Sequence, residues 1–291
     1  MAVKSAASRP PRGGPARGYI IPVGGAEEKV GDVAILRRFA NLCGGPAARI
    51  GIIPTASELS DTGERYVALF KSLGAASAVS LPIQSRADAD DIEIVSALDD
   101  VDGIFLTGGN QLRLSTTVGG TEVARAIRRR NTEGVHVAGT SAGAAIMSDS
   151  MLTGNQFYPG MTTAVDSGVS SKRIARNIIE VIPGLGFLHG AIVDQHFIKR
   201  MRENRLMSVI LERPSLLGVG IDESTALRVY PDGHWQVYGA SAAIVFDARS
   251  ATITPGSAPK LGVSGMRVSI LPAGSTFDPR TGKATLPPGG G

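Results

Sequence analysis

The chain has 291 residues, 43% of them hydrophobic, with 37 glycines and few aromatics, which suits an α/β body that can bury a full core. Its formal charge of +4 equals that of residues 1–18 alone, where Lys4, Arg9, Arg12 and Arg17 meet no acid, so the rest is near neutral and does not read as a nucleic-acid binder. No apolar run reaches the ~20 residues of a membrane helix and no signal-type segment opens the chain. One cysteine (Cys43) beside four histidines gives no internal disulfide and no structural zinc site, so a cytoplasmic protein is expected.

Residues 1–17 read as a disordered basic tail. Strand and helix then alternate. Strands are expected at 18–23 (GYIIPV), 49–53 (RIGII), 77–82, 103–106 (GIFL) and 135–138 (VHVA), with helices at 33–42, 62–73, 89–98 and 122–130 between them. The strands are short continuous apolar runs, as expected when helices cover both sheet faces. That order implies an open, doubly wound, mostly parallel sheet. Beyond Ser150 the pattern loosens into a polar loop at 161–172, a helix at 174–181, a strand at 191–197 and a helix at 199–211. A strand at 216–221 leads to a hairpin (226–229 and 235–238 around Pro231-Asp232-Gly233) and an edge strand at 266–271. Residues 278–291 read as a flexible tail, leaving one α/β domain over 18–277.

Gly139-Thr140-Ser141-Ala142-Gly143 follows strand VHVA directly and precedes the apolar stretch 144–147, which is the G-x-S-x-G nucleophile elbow in its strand–turn–helix context. The tight turn aims Ser141 Oγ outward, and bulky neighbours two positions away would clash. The following helix start makes the Ala142 N–H a natural oxyanion donor. Leu106-Thr107-Gly108-Gly109-Asn110-Gln111 ends the neighbouring strand at the carboxyl edge, where ligands bind in such folds. Gly109 is the expected second oxyanion donor and Gln111 a substrate-positioning residue.

A hydrolytic serine needs a base. His136 lies inside a strand, His189 in a loop and His234 on a hairpin tip, whereas His196 ends the strand Ala-Ile-Val-Asp-Gln-His at its carboxyl edge and is the expected base. Asp194 and Glu223 compete to orient it. Asp194, two residues before the histidine, has a poor angle, so Glu223 at the end of GVGID is preferred. The order Ser…His…Glu departs from the Ser…Asp/Glu…His of α/β-hydrolases. Lys199, Arg200, Arg202 and Arg205 cluster after His196, and arginine forks beside a catalytic histidine point to an acidic substrate.

Taken together, Val23-Gly24-Gly25-Ala26-Glu27, GGNQ at 108–111, GTSAGA at 139–144, DQHF at 194–197 and GIDE at 220–223 resemble the cyanophycinases, over residues 18–245. These form a serine peptidase family with a fold related to class I glutamine amidotransferases. The resemblance implies a cytoplasmic homodimer that cuts cyanophycin, a poly-aspartate backbone with arginine on each side-chain carboxyl, into β-aspartyl-arginine dipeptides. It makes Ser141 nucleophile, His196 base and Glu223 acid, and lines the substrate site with Gln111, Asp194, Gln195, Arg200, Arg202 and Arg205. In this scheme the arginines meet substrate carboxylates and Asp194 meets substrate guanidinium. No metal or organic cofactor is needed, and neither nucleic acid nor membrane is an expected partner. The alternatives are a related aspartyl dipeptidase and a catalytically silent binder of the polymer or of acidic peptides. An amidotransferase is disfavoured because its elbow nucleophile is cysteine.

Overall fold

A computed structural model describes residues 17–31, 33–157, 172–257 and 260–288. Its first part runs β1 (Ile20–Val23), α1 (Ala34–Leu42), β2 (Arg49–Ile53), α2 (Thr62–Ser72), β3 (Ser77–Ser80), α3 (Arg86–Ala89) and α4 (Ile92–Ala97). It continues through β4 (Gly103–Leu106), α5 (Gln111–Val118), α6 (Glu122–Thr132), β5 (His136–Thr140) and α7 (Ala142–Ala145). The later part adds β6 (Ser150–Gln156), β7 (Ile179–Pro183), β8 (Ala191–Gln195), α8 (Glu203–Glu212), β9 (Leu217–Ile221), β10 (Thr225–Val229) and β11 (Trp235–Gly239). It closes with β12 (Ala242–Asp247), β13 (Thr252–Ile253), β14 (Val263–Ser264), β15 (Arg267–Pro272), β16 (Thr276–Asp278) and β17 (Lys283–Thr285).

The main sheet has nine strands in the order β17-β16-β11-β10-β1-β5-β4-β2-β3. Strands β1, β5, β4, β2 and β3 are mutually parallel, and antiparallel β10, β11, β16 and β17 extend the β1 side. Successive strand residues feed opposite layers. Phe105 joins Phe39, Tyr66 and Phe70 beneath α1 and α2, while Ile104 and Leu106 join Leu114 and Ile127 beneath α5 and α6. Burial on both faces is why these strands read as unbroken apolar runs. The mixed α/β class, with a mostly parallel core flanked by helices, is the expected one.

A second sheet, β15-β12-β9-β8, packs on the α5–α7 side through Val193, Val219, Val245 and Leu271. Its outer face is covered by α8, where Leu206, Val209 and Ile210 meet Phe197 and Phe246. Strands β8 and β9 run parallel, with Gln195 opposite Ile221. The site strands of the second half therefore belong to their own sheet.

Three expectations need correction. Residues 174–181 are not helical: the β-branched run Ile178-Ile179-Glu180-Val181-Ile182 enters β7, which pairs antiparallel with β6. Helix α8 begins at Glu203 rather than 199, after a turn in which Met201 adopts φ +49°. Residues 278–285 are not a loose tail, because β16 and β17 form a hairpin on the main sheet and Phe277 packs its ring 5.2 Å from Trp235. That contact supplies the reason: Trp235 is 1% exposed and needs the cover. Arg17 is also held, donating to Asn131 Oδ1 (3.0 Å) and to the Phe187 carbonyl (2.5 Å). Residues 1–16, 161–171 and 289–291 lie outside the described residues. Removing residues 276–291 is expected to red-shift the emission of the chain's one tryptophan. An unshifted fluorescence spectrum would contradict this packing. Among the described residues no helix is long and apolar enough to cross a membrane.

Candidate active site

The elbow is built by close packing. A Cβ on Gly139 would lie 2.3 Å from the Gly143 carbonyl oxygen, and one on Gly143 would lie 2.3 Å from that of Leu106. Only glycine at both positions lets β5 turn this sharply into α7. Between them Ser141 takes φ +51°, ψ −111°, a region non-glycine residues occupy at a cost of roughly 1–3 kcal/mol. The strain lifts the hydroxyl clear of the sheet.

His196 follows β8 and is itself at φ +49°. Its Nε2 and Ser141 Oγ share a hydrogen bond of 2.9 Å, and its Nδ1 lies 2.7 Å from Glu223 Oε1. Glu223 follows the adjacent strand β9, so serine comes from the nine-stranded sheet and histidine and glutamate from the four-stranded one. Such a hydroxyl can lose its proton to the imidazole as it attacks a carbonyl, while the carboxylate fixes the ring. His196 is 7% exposed. Burial, the largest cause, holds it below its ordinary pKa. The hydrogen bond to Glu223 works the other way, and repulsion from Arg200 and Arg202 adds to the lowering. The imidazole is thus kept neutral, as a base requires.

The other histidines are engaged elsewhere. His136 Nδ1 accepts from the Tyr19 N–H (3.0 Å), His189 pairs with Asp149 and His234 with Asp232. Cys43 is buried.

Ser141 and His196 open onto a cleft of about 660 Å3, walled by Gly108, Thr140, Glu27 and the α2 residues Tyr66 and Leu69. A second cavity of about 470 Å3 shares Ser57 with it and is lined by Gly109, Gln111 and Asn155. Gly108 is the glycine against the serine, since its Cβ would lie 3.3 Å from that of Ser141. Gly109 lines the second cavity rather than the cleft. Ala142 is buried at the first position of α7.

The expected substrate contacts divide. Arg200 is exposed, and Gln111 faces the second cavity. Asp194, 1% exposed, is closed on Arg205, 2% exposed: Arg205 Nε donates to Oδ2 at 2.6 Å and its Nη2 to Oδ1. Arg202 Nη1 donates to the Gln195 carbonyl at 2.6 Å and to the Gln195 side chain, with Asp194 Oδ1 at 3.4 Å. Gln195 Nε2 donates to Gln111 Oε1 (3.4 Å), whose own amide donates to the Leu152 carbonyl (2.8 Å). Asp194, Gln195, Arg202 and Arg205 are thus engaged with one another in this structure. A carboxylate two residues before His196 needs compensation when buried, and Arg205 one turn into α8 supplies it. The network fixes the β8 end that carries His196.

The residue motifs left Glu27 without a role. It is 3% exposed, accepts from Tyr66 Oη at 2.7 Å and from the Thr140 hydroxyl, and pairs with Lys29 at 3.2 Å. An acid directly after the apolar run IIPVGGA was the available signal. Among the described residues no group of three or more His, Cys, Asp or Glu could hold a metal ion.

Residues 20–236 match the model of a family described as Peptidase family S51. The chain is 37% identical over 264 residues to a cyanophycinase of Nostoc sp., covering 89% of this chain and 84% of that protein. It is 35% identical over 282 residues to a cyanophycinase of Synechococcus elongatus, with coverage of 94% and 84%. Among solved structures, a peptidase from an acI-B1 Actinobacterium superposes with a TM-score of 0.65 at 23% identity, covering 90% of this chain and 97% of that one, a likeness of fold.

Proposed function

The chain belongs to peptidase family S51, and from that premise we propose that it is a serine peptidase hydrolysing the poly-aspartate backbone of cyanophycin to β-aspartyl-arginine dipeptides. The observation that carries this reading is the hydrogen-bonded series Ser141–His196–Glu223 at 2.9 and 2.7 Å, in a chain whose relatives of 35–37% identity are cyanophycinases.

Ser141 Oγ attacks a backbone aspartyl carbonyl as its proton passes to His196 Nε2. Glu223 accepts the Nδ1–H and stabilises the imidazolium that results. The N–H groups of Ala142 and Gly109 take the oxyanion. The C–N bond breaks as His196 returns the proton to the leaving amine, which leaves an ester on Ser141. Water, giving a proton to His196, hydrolyses the ester and frees the serine. Arg200 and Arg202 attract substrate carboxylates, and Gln111 positions the chain from the second cavity. The protein works in the cytoplasm as a homodimer, without nucleic-acid or membrane partners.

Selectivity tests this reading against the dipeptidase alternative. The purified protein is expected to solubilise cyanophycin while leaving α-aspartyl dipeptides intact. Preferential cleavage of the dipeptides would overturn the proposal.

The electrostatics give a pH prediction. His196 must be neutral to accept a proton, so activity falls on the acid side as it protonates. Arg200 disfavours the imidazolium, and its removal makes protonation easier. Arg200→Ala is therefore expected to move the acid limb of kcat/KM to higher pH. A limb that stays put or moves to lower pH would contradict the assignment.

A further inference from the structure

Between β1 and α1 the chain crosses the site as the segment Val23–Glu27, and every turn bearing a triad residue is tied to it. Ser141 donates its N–H to the Val23 carbonyl at 3.0 Å, and His196 donates its own to Gly24 at 2.7 Å. Ser224, next to Glu223, donates its N–H to Gly25 at 2.9 Å and its hydroxyl to the Ala26 carbonyl at 3.0 Å. The Thr140 hydroxyl donates to Glu27. Three of these residues, Ser141, His196 and Ser224, have φ near +50°, as does Ala26 in the segment. Such conformations persist where surrounding structure over-determines them. Gly25 completes the seat, because a Cβ there would lie 2.4 Å from Cε1 and Nε2 of the His196 ring.

Glu27 is the side chain that anchors this segment. One carboxylate oxygen accepts from Thr140, immediately before the nucleophile, and the other from Tyr66 on α2. Lys29 closes the solvent side, with its Nζ 3.2 Å from Oε1. Burial, and then the neighbouring Glu27, hold the Tyr66 phenol far above its ordinary pKa, so it remains a donor. Glu27 lines the cleft wall with both carboxylate oxygens already engaged by Tyr66, Thr140 and Lys29.

We propose that Glu27 is a positioning residue for the reaction. It fixes the Thr140 hydroxyl, and through it the strained turn that aims Ser141 Oγ at His196. The proposal rests on the reading of Ser141 as nucleophile.

The test uses a small fluorophosphonate, a serine-directed reagent that needs none of the polymer-binding surface, with intact-mass and peptide-mass readout. The end-point stoichiometry reports the folded fraction, and the rate constant reports the aim of the hydroxyl. Glu27→Gln and Thr140→Val are each expected to slow labelling of Ser141 by about tenfold, the scale of one lost positioning hydrogen bond, with one adduct per chain at the end point. Thr140→Ser keeps the hydroxyl and is expected to restore a rate within about twofold of wild type. If Glu27 acts through Thr140, the double variant is no slower than the slower single one. A wild-type rate in Glu27→Gln, or single effects that multiply in the double variant, would overturn the proposal. Should Glu27→Gln give a substoichiometric end point, Tyr66→Phe, which removes one donor from the carboxylate, carries the expectation as a slower rate at full stoichiometry. An unchanged rate in Tyr66→Phe then overturns it. Failure of the wild-type protein to label at Ser141 would instead sink the nucleophile reading, and the proposal with it.

Discussion

Ser141→Ala is expected to lower kcat for cyanophycin cleavage by about 10⁴- to 10⁶-fold, the range seen when a triad nucleophile is removed. The substitution deletes one oxygen, whose partner in the structure is His196 Nε2. Alanine at the same φ is strained as serine is, and the β5–α7 packing around Gly139 and Gly143 does not involve the hydroxyl. The thermal midpoint should therefore stay close to wild type, since one partly exposed hydrogen bond contributes about 0.5–1.5 kcal/mol. Rates of soluble dipeptide release, measured beside a melting curve, check both halves. A variant that folds and keeps more than about a tenth of the rate would remove Ser141 from the chemistry.

The second large effect falls on stability. Asp194→Ala leaves the Arg205 guanidinium group, 3% exposed, without the carboxylate that pairs with it. Breaking a buried pair from one side costs about 3–5 kcal/mol, because a desolvated charge is left behind. The expected signature is a lower denaturant midpoint at unchanged slope. Activity per folded molecule should fall as well, since Gln195 and His196 directly follow Asp194 and the Gln195 N–H donates to its carboxylate at 2.9 Å. Asp194→Asn keeps the shape and removes only the charge, so it separates packing from electrostatics. A stability change below about 1 kcal/mol in both variants would mean that the pair is not buried against water as described.

Much of the fold and of the site is legible in the sequence. The central strands declared themselves because residues such as Ile104, Phe105 and Leu106 are buried in opposite layers, and local sequence carries that burial directly. The elbow was legible because its glycines answer steric contacts within a few residues. Glu223 was separable from Asp194 by placement alone. The parts that could not be read depend on distant partners. Nothing near residues 191–221 indicates a second sheet, since β9 is matched by β12 and β12 by β15, tens of residues away. The run 174–181 has apolar spacing that fits either period, and only its pairing with β6 decides. Lys283–Thr285 looks like part of a Gly/Pro-rich end, yet Phe277 beside it is drawn in by Trp235. The same limit applies to the polar residues: Asp194 and Arg205 carry suitable charges for a zwitterionic substrate, and their pairing with each other in the fold is not visible in the sequence. Glu27 was visible as a residue but not as a partner of Thr140, 113 positions on.

The most direct test of the proposed function is to incubate the purified protein with insoluble cyanophycin and identify the soluble products by mass spectrometry. The account predicts β-aspartyl-arginine as the accumulating product, with none above background from Ser141→Ala. Polymer left intact by the wild-type protein, whether or not the protein adheres to the granules, would contradict it.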